Sequence, residues 1–389
     1  MSTIIPILIF LLILGVVVFV HELGHFLAAR RAGVFVEEFA IGMGPILLSF
    51  RGKTEQIPVA RPENAEEPAD TDEVVYAYVE EHATLYSLRA FPIGGFCRMR
   101  GMEEDATAED TRALNNKTIP QRMLVMAGGS LMNFLLAFIL FFALAMMTGF
   151  LVAEVRGVQE NRPAYAAGLQ PGDRITHING NRVTLYENFL LQLEFSQGEA
   201  MDVRFVRDGT RHDIVLTPFE AAPNTWRMGF IPEFHVGWID ELPDDRQRVG
   251  VWGATTNAVE MMLFNIRLPF TMLARWVSDQ HLPAGAGVTG PIGMGAVVVD
   301  LVQESPSVVD TVLRMVFFTA LLSTALGLFN LLPIPAMDGA RLVFLGIEAV
   351  RRKPIPPERE TMVHLIGFVL IIALAIFIAY RDIVRLIPS

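Results

Sequence analysis

The 389-residue chain holds a single cysteine, Cys97, so no disulfide can form within it. Charge is scarce: Asp, Glu, Lys and Arg make up 19% of the residues, where a soluble globular chain carries about a quarter. Basic residues are outnumbered by acidic ones, 31 to 42, and the formal net charge of −11 lacks the basic footprint of a nucleic-acid binder, so no nucleic-acid partner is expected. No Lys or Arg precedes Arg30. What is abundant is apolar: 52% of residues are hydrophobic and the mean hydropathy is +0.41. These residues gather into a few long runs with the charges between them. That distribution excludes a purely soluble enzyme, a disordered chain and a disulfide-stapled secreted domain.

A bilayer crossing needs roughly 20 apolar residues, and four runs qualify. They are Ile4–Val20, which continues apolar after a short break to Ala29, Met123–Ala153, Met315–Leu332 and Leu365–Tyr380. The predicted membrane helices therefore occupy residues 1–30, 120–150, 307–340 and 359–383. The first run lacks the basic start and short core of a cleaved signal peptide, and is read as a retained helix. Arginines and lysines crowd the segments between spans one and two (Arg30, Arg31, Arg89, Arg98, Arg122) and between spans three and four (Arg341, Arg351, Arg352, Lys353). The positive-inside bias puts both loops in the cytoplasm, and the long segment between spans two and three outside.

Residues 31–119 carry an acidic insertion, 54–85, flanked by apolar stretches with Gly42, Gly44, Pro92, Gly94 and Gly95. Short strands with glycine bends are predicted there, forming either hairpins that dip into the membrane edge or ordinary surface hairpins. Within 151–217 a short helix ended by Gly168, a Pro171-Gly172-Asp173 turn, a strand at 174–178 and an Asn179-Gly180 hairpin turn follow one another. This string resembles the PDZ domain of bacterial proteases, which implies capture of peptides or protein C-termini by strand addition. Residues 218–306 are read as a linker and then a helix with apolar residues at helical spacing from Val259 to Trp276. That helix either lies on the membrane surface or packs against the neighbouring domain.

The decisive pattern is His21-Glu22-Leu23-Gly24-His25. Positions i and i+4 share a helix face, so both imidazoles can reach one Zn²⁺, with Glu22 beside them to take a proton from water. Two histidines and a carboxylate in an otherwise uncharged membrane helix are costly and point to function. A hydrolytic zinc site needs a third protein ligand and an open position for water. Asp338, in Asn330-Leu-Leu-Pro-Ile-Pro-Ala-Met-Asp-Gly339, sits at the cytoplasmic end of span three, on the same side as the histidine pair. Pro333 and Pro335 break the helix there, allowing irregular backbone to line an enclosed cavity at membrane depth.

HExxH in the first span, a PDZ-like segment outside and Asn-x-x-Pro-x-Pro-x-x-Asp-Gly at the third span resemble the site-2 protease family of intramembrane metalloproteases. The resemblance implies a multi-pass α-helical membrane protein of four transmembrane helices, with membrane-associated β-hairpins and an inserted extracytoplasmic PDZ domain. It implies one zinc ion on His21, His25 and Asp338, with Glu22 as general base. Asn330, Asn133 of Gly129-x-x-x-Asn133, and the Gly94-Gly95-Phe96 hairpin would contact substrate. Its partners would be the lipid bilayer and single-span membrane proteins, such as anti-sigma factors or leftover signal peptides. Its place would be a bacterial inner membrane, with the active site toward the cytoplasm. Ser130 stands where the family usually has Pro, Met337 replaces the usual Leu, and Ala340 the second Gly. Two rivals remain distinguishable. A non-catalytic PDZ adaptor would have no need of Glu22. A metal transporter would need polar residues through the depth of several spans, whose outer halves lack them apart from Arg314.

Overall fold

The computed structural model describes residues 4–58, 79–102, 110–223, 225–237, 248–278, 290–353 and 355–386. In chain order the elements begin with α1 (Ile4–Arg31), β1 (Val36–Pro58), β2 (Val79–Met99), α2 (Ile119–Thr148), β3 (Gly149–Val158), α3 (Pro163–Ala166), β4 (Arg174–Ile178), β5 (Asn181–Arg182) and α4 (Tyr186–Ser196). There follow β6 (Met201–Arg207), β7 (Thr210–Leu216), β8 (Phe219–Ala222), β9 (Thr225–Arg227), β10 (Phe230–Val236), α5 (Val251–Val277), α6 (Pro291–Gln303), α7 (Val308–Leu331), α8 (Asp338–Arg351) and α9 (Pro357–Leu386). They form two compact units, residues 1–136 with 289–389, and residues 137–288.

In the first unit, α1, α7 and α9, together with the start of α2, supply apolar helices long enough to cross a membrane. At 1.5 Å per residue, the 28 residues of α1 reach about 42 Å, more than the hydrocarbon core of about 30 Å. Arg30 and Arg31 close its last turn, where positive charge suits the exposed carbonyls of a helix end. One correction concerns the third span. Helix α7 stops at Leu331 and Asp338 opens a separate helix, so 307–340 is not one helix. Proline has no N–H and fixes φ, so Pro333 and Pro335 cannot continue α7. Helix α6, inside the segment read as linker and surface helix, was also not foreseen. Its side chains Val298 and Val302 pack with Phe10, Ile13 and Val17 of α1 and Met315 and Phe318 of α7. The buried Asp382 of α9 accepts hydrogen bonds from the Gly290 and Gly293 N–H groups at 3.0 and 2.9 Å, satisfying the start of α6.

Strands β1 and β2 pair with each other in one bent sheet. Val36–Ile41 lies between two parts of β2, opposite Gly95–Met99 on one side and Leu85–Leu88 on the other. The far part of β1 returns along β2, with Ile46 opposite Arg89 and Pro58 opposite Val79. Both ends of the acidic insertion are therefore strand, while its middle, 59–78, lies outside the described residues. The near half of the sheet is buried through Val36, Phe39, Cys97 and Met99 against Ala29 and Val125. The far half exposes Leu47, Leu48, Phe50 and Phe91.

The second unit is a sheet of order β10-β3-β4-β6-β7, with β5 paired to β4, around a core of Ile175, Ile178, Met201, Val203 and Phe189. The helix, turn, strand and hairpin turn read from residues 163–180 are all present. The buried Asp173 fixes the turn: Arg207 donates to both of its oxygens at 2.6 Å, and the Gln170 N–H to one of them. The expected linker from 218 instead begins with β8, β9 and β10, and β10 pairs along β3. Glu220 and Trp226 share a register position there, but the run is too short and proline-rich for period-two alternation to stand out. Helix α5 is tied into this unit by Glu260, which accepts from Thr184, and by Arg275, which lies 3.5 Å over the Phe195 ring. Trp252, Leu273 and Trp276 on α5 stay exposed, so one face of this helix packs and another does not.

Candidate metal centre

Helix α1 places His21 and His25 one turn apart on the same face, and α8 begins with Asp338 opposite them. The Nε2 atoms of His21 and His25 lie 3.1 Å apart, and each is 3.2 Å from Oδ2 of Asp338. One ligand atom from each residue lies within 4.8 Å of the other two, and both imidazoles are buried.

The ring of His25 is oriented from behind. Its Nδ1–H donates to the Val125 carbonyl at 2.8 Å, which leaves the Nε2 lone pair facing Asp338. Two soft-to-borderline nitrogen donors and one carboxylate, all aimed at one point, are the donor set of a catalytic zinc ion with one position left for water. The residues present therefore fit zinc.

This convergence depends on helix contact without side chains. A Cβ on Gly24 would lie 2.2 Å from the Gly128 carbonyl oxygen, so α1 and α2 touch through their backbones. A Cβ on Gly129 would lie 2.5 Å from His25 Nε2 and 2.7 Å from His21 Nε2, inside the space the ligand atoms occupy. Neither Gly128 nor the Val125 carbonyl was singled out from the sequence. Only the family resemblance carried by Gly129-x-x-x-Asn133 pointed to this face of α2.

Glu22 lines the same cavity of about 260 Å³ with Phe96, Met126, Asn330 and the three metal-ligand candidates. Cys97 of β2 lines the cavity beside Glu22 of α1. Gly95 packs against Glu22, since a Cβ there would lie 3.5 Å from its Cγ. Asn330 lines the cavity while donating to the Leu326 carbonyl at 3.0 Å. Gly94 sits at the bend of β2 with φ +83°, where a Cβ would meet Met43 rather than the cavity. Asn133, expected to touch substrate, has its side chain fully buried on α2, with Nδ2 3.2 Å from Nδ1 of His21. It stands behind the ligand, on the side away from the cavity.

Two further features hold Asp338 in place. Ala336, two residues before it, adopts φ +72°, a costly conformation for a residue with a Cβ. Its N–H donates to Nδ1 of His364 on α9 at 2.9 Å. Gly367 lets α9 come against the same turn, because a Cβ there would lie 2.0 Å from Pro335 Cβ. His364 was visible in the sequence only as a histidine opening span four.

The chain matches peptidase family M50 over residues 9–59 and 74–374. It is 30% identical over 380–432 residues to two relatives. One is the zinc metalloprotease RasP of Oceanobacillus iheyensis, with 97% of this chain and 98% of that one covered. The other is a chain of Clostridium acetobutylicum, with 97% of each covered. The zinc metalloprotease RasP of Shouchella clausii is 28% identical, covering 97% of this chain and 98% of the relative. Among solved structures, the PDZ domain of the SdrC-like protein from Listeria monocytogenes aligns with 20% of this chain and 84% of its own, at 21% identity and a TM-score of 0.19.

Proposed function

The chain belongs to peptidase family M50, the site-2 protease family of zinc metalloproteases, and from that premise we propose that it hydrolyses peptide bonds within the membrane-spanning segments of other membrane proteins. One observation carries this reading: His21, Glu22, His25 and Asp338 converge on one cavity, and three of them sit in a helix apolar and long enough to cross a bilayer.

In this reading His21, His25 and Asp338 hold a single zinc ion. Zinc, when bound, supplies a Lewis acid that lowers the pKa of water and stabilises developing negative charge. Glu22, within the same cavity, takes the proton from the attacking water and passes it to the leaving amine. Phe96, Met99 and Met126 line part of the cavity with apolar surface.

A helical substrate hides its scissile carbonyl in its own hydrogen bonds. It must unwind, and its freed backbone groups then need partners. Among the described residues no strand pairs along the outer side of Gly95–Met99, which borders Glu22. Substrate adding there as a strand would regain those hydrogen bonds and pass its backbone across the cavity. Asn330 is placed to bond the same backbone.

The membrane is a bacterial inner membrane, with the active site near its cytoplasmic face, and the β-sheet unit lies outside. That unit acts as a PDZ domain binding peptide or protein C-termini, a reading supported by its own strand–turn–helix order. The exposed apolar half of the β1–β2 sheet is immersed at the membrane edge. Substrates are single-span proteins already shortened outside.

The test is purified protein against a panel of single-span substrates, comparing wild type with Glu22→Gln. Cleavage by the wild type, and none by a variant that still binds zinc, is expected. Equal cleavage by both would overturn the role of Glu22. A wild type that binds substrate and never cleaves it would favour the adaptor reading.

A further inference from the structure

We propose that Asn133 is a positioning residue for the metal centre, whose amide oxygen accepts the Nδ1 proton of His21 and so holds the ring in the tautomer that leaves Nε2 free for zinc. The inference rests on the zinc reading above.

The two sides of the His21 ring face different partners. Nε2 faces Asp338 and His25, the point where the ligand atoms meet. Nδ1 faces the amide of Asn133 at 3.2 Å, in a fully buried setting on α2. A neutral imidazole carries one proton. When Nε2 ligates a metal, that proton sits on Nδ1, which becomes a donor and needs an oxygen in front of it. The Asn133 amide has one such oxygen, and it is buried without a hydrogen-bond partner. The amide nitrogen and oxygen exchange places by a half-turn of the side chain, and the protonation of the ring decides which end faces it. With Nδ2 toward His21, the ring keeps its proton on Nε2, directed at Asp338. With Oδ1 toward His21, the ring is set for metal. The orphaned oxygen is the acceptor that the metal-ligating tautomer requires.

The partner ligand supports this. His25 already has an oxygen behind it, the Val125 carbonyl on the same helix α2. Asn133 would give His21 the equivalent support, so that one face of α2 orients both rings. The backbone of Asn133 is itself fixed, because Ser323 of α7 donates to its carbonyl at 2.8 Å and Gly327 of α7 packs against its Cβ. The side chain is held facing His21.

The experiment measures zinc affinity of the purified full-length protein by competition with a chelator, for wild type, Asn133→Asp and Asn133→Leu. Aspartate keeps an acceptor in nearly the same shape; leucine keeps volume and offers none. Asn133→Leu is expected to weaken zinc binding by about 10–100-fold, the usual effect of removing such a partner. Asn133→Asp is expected to bind zinc at least as tightly as wild type. Wild-type affinity in the leucine variant would overturn the proposal, and so would an equal loss in both variants. Nitrogen-15 NMR of histidine-labelled wild type with zinc bound gives an answer that needs no variant to fold. A protonated Nδ1 on His21 is expected, and a protonated Nε2 would overturn the proposal. No zinc in the wild type would overturn the metal reading itself and this inference with it.

Discussion

The Nδ1–H of His25 on α1 donates to the main-chain carbonyl of Val125 on α2 at 2.8 Å, a bond between residues 100 positions apart. A helical carbonyl can accept from a neighbouring helix only where the two backbones come close. Gly24 and Gly128 provide that approach, and Gly129 leaves the room that the two imidazoles fill. Three glycines with no chemistry of their own therefore set the geometry of the metal centre.

Gly129→Ala tests this directly. The added methyl would lie 2.5–2.7 Å from ring atoms of both histidines, far inside van der Waals contact. Zinc content of the purified variant, read by atomic emission, is expected to fall below about a tenth of wild type, with cleavage falling in proportion. Full zinc occupancy in Gly129→Ala would mean that the rings are not held as described.

The sheet edge that borders the cavity has its own support. Glu38, buried on β1, accepts from Ser87, Arg89 and Arg98, each at 2.6 Å. Both arginines lie over the ring of Phe96, at 4.9 and 5.7 Å, so the carboxylate holds the cations that hold Phe96. Burial would raise the pKa of Glu38, but the bonds from Ser87 and Arg89 prevail and lower it from 4.5. A lowered folded-state pKa stabilises the protein above the unfolded value, and that contribution fades as pH drops below 4.5 toward the folded value. Glu38→Gln is expected to cost on the order of 2 kcal/mol at pH 7. The gap from wild type should narrow on acidification below pH 4.5 when thermal unfolding is followed across pH. A gap that widens on acidification would contradict the clamp.

Cys97 lies beside Glu22, and burial first, then the nearby carboxylate, push its thiol up to about 12. A thiol of that kind is about one part in 10⁴ thiolate at pH 8, and only the thiolate reacts. Alkylation of the folded protein by a maleimide is expected to be at least a hundredfold slower than after denaturation. Equal rates would show that the strand is not packed as described.

Phe96→Pro removes a backbone N–H from the strand beside Glu22. If substrate adds along Gly95–Met99, cleavage should fall by about tenfold or more while zinc content stays near wild type. Unchanged cleavage would remove strand addition from the mechanism.

Much of this was legible in the sequence, unevenly so. The membrane helices announce themselves because runs such as Ile4–Val20 need no partner to be read. His21, Glu22 and His25 stand out as polar residues in such a run, and Asp338 follows from the side on which the chain emerges. The turn chemistry of residues 163–180 is local and was read residue by residue. What was not legible depends on distant contact. Nothing local says that Val36–Ile41 pairs with two parts of β2, or that β10 returns to β3 after more than 70 residues. Asn133 came only with the family resemblance carried by Gly129-x-x-x-Asn133, and its burial behind His21 follows only from the packing of α2 on α1. The orienting roles of Val125 and Ala336 belong to main-chain atoms, which carry no sequence signal.

The most direct measurement is the position of the cut. A single-span substrate is incubated with wild-type protein and with Glu22→Gln, and both product termini are mapped by mass spectrometry. The expected result is a scissile bond inside the substrate's apolar segment of roughly 20 residues, made by wild type with zinc bound and abolished by Glu22→Gln. A cut confined to the soluble flanks of the substrate, or one that Glu22→Gln makes equally well, would contradict an active site built from His21, Glu22, His25 and Asp338 for work inside the bilayer.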